Sequence, residues 1–180
     1  MTTLPQPRTP PLAQRAAELR AFDWPGASMA LRGGRELVYR FQVTPSAFSR
    51  DYNCVLRMKP DSRAPAMIAL QPDLFALADG RRPPHIYPHL GRGAKLCLWW
   101  PKRREWLPQM KLAETFLPWT VEWLWYFEDW LTTDDWAGGG EHPQPRARRW
   151  RPTRESTSRV RAAHPRRAGD ASPTSHAQNH

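Results

Sequence analysis

Two neighbouring stretches of this chain, at positions 35–44 and 52–59, alternate apolar and polar residues with a period of two. This alternation is typical of strands that bury one face of a sheet, because successive side chains of a strand point to opposite faces. The apolar positions are Leu37, Tyr39, Phe41 and Val43 in the first stretch, and Tyr52, Cys54, Leu56 and Met58 in the second. A third, shorter strand is predicted over Ala66 to Leu70, after a turn at Pro60-Asp61-Ser62. Together the three segments predict an antiparallel meander.

Helices are predicted on both sides of this meander. Pro11 favours the start of a helix over Leu12 to Phe22, and Asp23-Trp24-Pro25-Gly26 favours its end. The predicted inner residues of this helix are Leu12, Ala16 and Leu19, and the predicted outward residues are Arg15, Glu18 and Arg20. A second helix, from about Trp119 to Thr132, is apolar around most of its circumference. Helices that flank an antiparallel meander predict an α+β fold.

The two ends of the chain differ in composition from the region between them. Residues 1–11 are punctuated by prolines and are predicted to be flexible. Residues 144–180 combine nine arginines with only Glu155 and Asp170, a charge of +7 out of the total of +10. A segment with so few large apolar residues cannot offset its ordering entropy, so we predict that it is disordered and that one domain covers residues 12–143. The remaining charge of +3 gives no reason to expect that the folded part binds nucleic acid.

The chain is expected to be a cytoplasmic protein without a membrane span. Its two cysteines are too few for a disulfide scaffold. Residues 1–15 contain prolines and arginines where a signal peptide needs an apolar run, and no uninterrupted apolar stretch is long enough to span a bilayer. Gly33-Gly34 and Gly138-Gly139-Gly140 lack the context of a phosphate-binding loop, so no nucleotide or other cofactor is predicted.

The segment from His85 to Met110 concentrates groups that could make one thiol reactive. His85 and His89 precede Cys97 and are separated from it by a turn at Gly91 to Gly93. A thiolate can attack a carbonyl carbon, and an imidazole can donate a hydrogen bond to the oxyanion that forms or carry a proton. We therefore predict that Cys97 is the nucleophile and that His89 and His85 are its catalytic partners.

Other interpretations of these residues are open at this point. Cys97 could be a buried small apolar residue, as Cys54 is predicted to be on the inner face of its strand. His85, His89 and Cys97 are also three possible zinc ligands, although the chain has no CxxC pair to complete a structural site, and no metal is predicted. Of the tryptophans, Trp123 is expected to lie in the core, whereas the others could form an exposed aromatic patch for a protein partner.

Residues 84–119 resemble the active-site region of ubiquitin-conjugating enzymes. Tyr87-Pro88-His89 stands where that family has His-Pro-Asn, Cys97-Leu98 matches its Cys-Leu, and Trp106-Leu107-Pro108 matches its Trp-Ser-Pro. The order of helix, meander, thiol loop and helix also agrees. The resemblance implies a UBC-like fold in which Cys97 carries an acyl group as a thioester. His89 replaces the asparagine that stabilises the oxyanion in that family, and Tyr87 replaces its histidine.

Three further segments, LCLWWP, EWLPQMKLAETFLPWTVEWLWYFEDWL and DDWAGGGEHP, resemble the short, standalone conjugating-enzyme-like proteins of type II CBASS anti-phage operons. The resemblance extends over about Arg35 to Pro143. It implies that the partner is a cGAS/DncV-like nucleotidyltransferase, whose C-terminus is the acyl group, and that target proteins supply amines. The acyl donor has to arrive already activated, because no nucleotide site is predicted here.

Two other functions are compatible with the sequence. The chain could be a non-catalytic module of the same fold that only holds the nucleotidyltransferase. It could also bind nucleic acid without sequence preference through its arginine-rich tail, since arginines in a disordered segment neutralise phosphates.

Overall fold

The alternating stretches form neighbouring strands of one antiparallel sheet in a computed structural model that describes residues 9–139. The strands are β1 (Ser28–Arg32), β2 (Glu36–Val43), β3 (Tyr52–Met58), β4 (Ala66–Gln71), β5 (Ile86–Tyr87) and β6 (Ala94–Leu96). The order across the sheet is β1-β2-β3-β4-β6-β5, so β5 lies at the edge and β6 lies between β4 and β5. Over the described residues the predicted α+β class is therefore confirmed.

The inner faces of β2 and β3 are those that the alternation predicts. The two strands pair antiparallel, with Phe41 opposite Cys54. The predicted inner residues are all buried: Leu37, Tyr39, Phe41, Val43, Tyr52, Cys54, Leu56 and Met58. Val38, Val55 and Ile68 form a smaller buried cluster of their own. Because they alternate with the inner residues, this cluster lies on the other face of the sheet.

Three strands of the described region were not predicted. β1 carries the run Met29-Ala30-Leu31 without alternation, and all of its residues are only partly buried or exposed. It pairs with β2 through a hairpin that includes Gly33 and Gly34, both in the left-handed region of backbone space. β5 and β6 contain two and three residues. Such short strands show no period of their own.

The helices pack against the inner face of the sheet. They are α1 (Leu12–Phe22), the single turn α2 (Leu74–Leu77) and α3 (Phe116–Thr133), with a short 3-10 turn at Pro101–Arg103. The predicted bounds of α1 are confirmed. α3 begins three residues earlier than expected and has Pro118 in its first turn, where a backbone N–H has no partner within the helix and proline is tolerated. Six large apolar residues of α3 are buried, each contributing about 1.5–3 kcal/mol.

Arg15 is buried, which corrects the expectation that it points outward. Its side chain is 1% exposed and forms an ion pair with Glu18 at 2.8 Å. The guanidinium also donates to the backbone oxygens of Pro108 and Met110. Glu18 in turn accepts a hydrogen bond from the backbone N–H of Ala113 at 3.0 Å. The pair therefore joins α1 to the backbone of the segment that leads into α3.

Replacing Arg15 by Met should destabilise the protein strongly, because two backbone oxygens and the Glu18 carboxylate lose their donor. We expect a loss of about 3 kcal/mol in the free energy of unfolding. Arg20, which is exposed on the same helix, provides the matched control, and Arg20→Met should change this free energy by less than about 0.5 kcal/mol. Urea denaturation followed by tryptophan fluorescence measures both. Equal effects of the two substitutions would show that the buried pair has no structural role.

Gly93 brings β6 close to β4. Its φ of 83° is in the left-handed region, and a Cβ at this position would overlap the backbone oxygen of Ala69. Both conditions require glycine, since a side chain would be strained by the backbone and would also push the strands apart.

We therefore expect Gly93→Ala to lower the free energy of unfolding by about 3 kcal/mol. Gly33 separates the effect of backbone strain from the effect of close contact, because it has a φ of 55° but open space around it. Gly33→Ala should cost only the backbone strain, about 1–2 kcal/mol. Thermal unfolding of both variants makes the comparison, and a Gly93→Ala protein as stable as the Gly33→Ala protein would argue against the close contact.

Several expectations fall on residues that the structure does not describe. Residues 1–8 of the predicted flexible N-terminus, the domain end at 143 and the arginine-rich segment 144–180 all lie outside the described range. Within residues 9–139, none of the helices is both long enough and apolar enough to cross a membrane.

Candidate active site

Pairing of β5 with β6 determines where the Cys97 side chain lies. Ile86 is opposite Leu96, and Tyr87 is opposite Lys95. The backbone N–H of Cys97 donates to the carbonyl oxygen of His85 at 2.9 Å and continues this ladder by one residue pair. Because side chains alternate along a strand, the register puts His85, Tyr87, Lys95 and Cys97 on one face. Ile86 and Leu96, on the opposite face, are buried in the core.

Cys97 opens into a cleft of about 970 Å³ between residues 97–105, here called the thiol loop, α3 and the residues that follow α3. Half of the residues that line the cleft are aromatic. Its ring-bearing lining residues are His85, Tyr87, Trp99, Trp100, Trp119, Trp123, Tyr126 and Trp136. Glu105, Glu122 and Lys102 contribute charge, and Gly138 and Gly139 contribute backbone. A cleft that combines aromatic walls with polar and charged groups can bind a ligand or a peptide segment.

The sulfur of Cys97 is partly buried and lies among hydrogen-bonding groups. Its Sγ is 3.8 Å from the backbone oxygen of Trp99, to which the thiol donates. Burial raises the pKa of the Cys97 thiol, whereas hydrogen bonds with the Tyr87 side chain and the Trp99 backbone act in the opposite direction. Burial dominates, so the resting group at neutral pH is the thiol rather than the thiolate.

Tyr87 is close enough to the sulfur to affect its pKa. Burial and the hydrogen bond to Cys97 raise the pKa of the Tyr87 hydroxyl, which therefore keeps its proton throughout the physiological range. The ammonium group of Lys95 lies 5.4 Å from the centre of the Tyr87 ring, within the range of a cation–π interaction. Tyr87 was not among the predicted catalytic residues.

His85 contributes to the site through its backbone and through its ring. Its carbonyl oxygen accepts hydrogen bonds from the Cys97 N–H and from the indole Nε1 of Trp123, the latter at 3.2 Å. Its φ of 50° is in the left-handed region, which non-glycine residues seldom adopt. The imidazole is 6% exposed and lies against the indole of Trp136, with the ring centres 5.1 Å apart. His85 thus lies directly beside Cys97 in the cleft wall.

His89 lies farther along the loop that follows β5. Its side chain is exposed, and its Nε2 would be 2.6 Å from a Cβ built on Gly91. His89 is not among the described residues that line the cleft. Its proposed part in catalysis therefore stays a prediction.

The residues after α3 fold back across the cleft. Trp136 lies against His85, Trp123 and Tyr126, with ring centres 5.1–5.9 Å apart. A Cβ on Gly138 would be 2.7 Å from the Tyr126 ring and 2.8 Å from Nε1 of Trp136. Only a glycine allows the chain to pass this closely. Trp123 itself is buried, as predicted for a core residue.

The two cysteines lie in different environments. Among residues 9–139, no three His, Cys, Asp or Glu side chains form a group that could hold a metal ion. Cys54 is 1% exposed on the inner face of β3, which confirms that it is a core thiol. Burial raises its pKa to about 12. The two cysteines therefore differ clearly in access.

Alkylation by iodoacetamide should distinguish them. The rate at Cys97 should keep rising with pH above the usual cysteine range, because its pKa is raised and only the thiolate reacts. Cys54 should stay unmodified in the folded protein up to pH 10. Peptide mass spectrometry after timed quenching, from pH 6 to pH 10, gives both rates in one sample. A Cys97 rate that levels off below pH 8 would show that its thiolate is stabilised rather than penalised.

A comparison with protein families bears on the same region. A family model described as Type II CBASS E2 protein matches residues 15–143. The match begins within α1 at the buried Arg15 and includes every described residue that lines the cleft. No curated protein matches the chain.

Proposed function

The chain belongs to the type II CBASS E2 family, and on this premise we propose that it is a thiol acyl transferase in which Cys97 carries the C-terminus of a nucleotidyltransferase as a thioester. The acyl donor is the cGAS/DncV-like nucleotidyltransferase of the same anti-phage system. Amines of target proteins are the acceptors. The UBC-like arrangement of the domain and a cytoplasmic location belong to the same proposal.

The observation that carries the proposal is the position of the sulfur in its cleft. Cys97 is accessible from the cleft, whereas Cys54 is enclosed in the core. A hydroxyl donor, Tyr87, lines the same cleft and lowers the pKa of the thiol. A structural thiol needs neither feature, but a nucleophile needs both an approach for its substrate and a donor for the charge that develops.

The chemistry requires an acyl group that has been activated elsewhere, either as a mixed anhydride or as a thioester. The Sγ of Cys97 forms a bond to the carbonyl carbon, and the bond from this carbon to its leaving group breaks. The thiol proton passes to solvent or to the leaving group. In the second step an amine nitrogen attacks the same carbon, the C–S bond breaks, and the thiol regains a proton. Neither step involves an oxidant or a reductant.

The shape and lining of the cleft fit an extended chain end. Apolar walls such as Trp99, Trp100 and Trp119 exclude water from the bond that reacts. The cleft is open at one side, so a flexible C-terminus can enter it while the body of the donor stays outside. A deep closed pocket would instead fit a small molecule.

Substitution of the nucleophile gives the direct test. When the protein is co-expressed with the nucleotidyltransferase, Cys97→Ser should accumulate an adduct with it, since an oxyester is more stable to amines than a thioester. Cys97→Ala should form none. Cys54→Ala is the matched control, because it changes the other cysteine outside the cleft. Intact mass spectrometry with peptide mapping identifies the residue and the acyl group.

The same samples separate the catalytic proposal from a non-catalytic one. If the two proteins co-purify but no adduct is found on Cys97→Ser and conjugates persist in Cys97→Ala, the chain is a binding module and the proposal is wrong. Loss of conjugates in Cys97→Ala with retained co-purification supports the enzyme.

A further inference from the structure

We propose that Tyr87 is the hydrogen-bond donor of the reaction: its hydroxyl stabilises the Cys97 thiolate before attack and the oxygen of the tetrahedral intermediate after it. The second part rests on the proposed acyl transfer. The first part concerns the thiol alone and can be decided without any acyl donor.

The sheet register fixes this pair of side chains. Tyr87 is opposite Lys95 in the pairing of β5 with β6, and the next pair along these strands is Ile86 with Leu96. Cys97 follows Leu96, with its N–H bonded to the oxygen of His85. Tyr87 and Cys97 are thus diagonal neighbours on one face, a relation that brings a long aromatic side chain within reach of a short one. Both line the cleft, and the two groups are close enough that each shifts the pKa of the other.

The ring of Tyr87 is held in this orientation. Lys95 lies across it, and the strand pairs of β4, β6 and β5 fix its backbone. The two histidines near the thiol are placed differently. The imidazole of His85 packs on Trp136, and His89 is exposed beside Gly91. Tyr87 therefore combines a position fixed by strand pairing with a hydroxyl on the same face as the reacting sulfur.

The donor is needed because burial opposes the thiolate. A charged sulfur in an aromatic cleft loses water contacts, and a hydroxyl that donates to it replaces part of this solvation. Once the sulfur is bonded to carbon it is a poor acceptor. The charge then lies on the former carbonyl oxygen, two bonds from the sulfur, and the hydroxyl redirects its hydrogen bond toward this oxygen by rotating about its C–O bond. The phenol keeps its proton in both steps.

Tyr87→Phe removes the hydroxyl and keeps the ring that Lys95 contacts. We expect alkylation of Cys97 by iodoacetamide at neutral pH to slow roughly three- to tenfold, and its pH profile to move to higher pH. Tyr39→Phe is the matched control, since it removes a buried hydroxyl from β2 outside the cleft. Its profile should coincide with that of the unaltered protein. A Tyr87→Phe profile that also coincides would overturn the proposal, provided that thermal unfolding shows both variants folded.

Conjugation with the co-purified nucleotidyltransferase tests the second part. The transfer rates of the unaltered protein and of Tyr87→Phe are compared at a pH at which iodoacetamide alkylates Cys97 equally fast in both. At this pH the two proteins do not differ in the ionisation of the Cys97 thiol. If Tyr87→Phe still transfers the acyl group at least tenfold more slowly than the unaltered protein, the hydroxyl has a role at the oxyanion. Equal transfer rates exclude this role. If the unaltered protein forms no conjugate while its alkylation depends on Tyr87, acyl transfer is wrong and the thiolate contact stands.

Discussion

The hydrogen bond from the Cys97 N–H to the oxygen of His85 is the interaction on which the rest of the site depends. β5 and β6 contain only two and three residues, too few to hold a register by themselves. The bond adds a third pair to the ladder, and the indole of Trp123 on α3 donates to the same oxygen. If the pairing of β6 with β5 shifted by one residue, the side chains of β6 would turn to the opposite face of the sheet, and Cys97 would enter the core. The chemistry of the thiol thus follows from backbone pairing.

A buried ion pair outside the cleft stabilises the segment that leads into α3, the helix that forms one wall of the cleft. Arg15 and Glu18 bind the backbone of Pro108, Met110 and Ala113, just before α3 begins. Burying a guanidinium is costly, and apolar residues of the same volume can give equal stability. What apolar residues cannot do is bond to backbone groups of a segment that has no regular structure of its own. Here the charged pair orients the chain between the thiol loop and the helix that carries Trp119 and Trp123.

The elements whose apolar residues repeat with a strand or helix period could be predicted from the sequence. β2, β3 and α1 agree with their predicted bounds within one residue, because each repeats its burial several times. β5 and β6 could not be found in this way. Arg15 could have been, since it lies within the buried stripe of Leu12, Ala16 and Leu19 at helical spacing. Tyr87 was not predicted because residue type favoured the histidines, whereas its place on the same face as Cys97 depends on a register that only the folded chain fixes.

The aromatic cleft and the raised pKa of Cys97 have one physical origin, and together they explain why a fixed hydroxyl matters. Water in the open cleft can solvate a thiolate while the site is empty. An acyl donor that enters between the tryptophans displaces this water, so burial opposes ionisation most strongly when the nucleophile has to act. Solvent can no longer respond, and the remaining stabilisation has to come from groups whose position is already fixed. A phenol held by strand pairing and by Lys95 meets this requirement, whereas an imidazole on an exposed loop would first have to be ordered at an entropic cost.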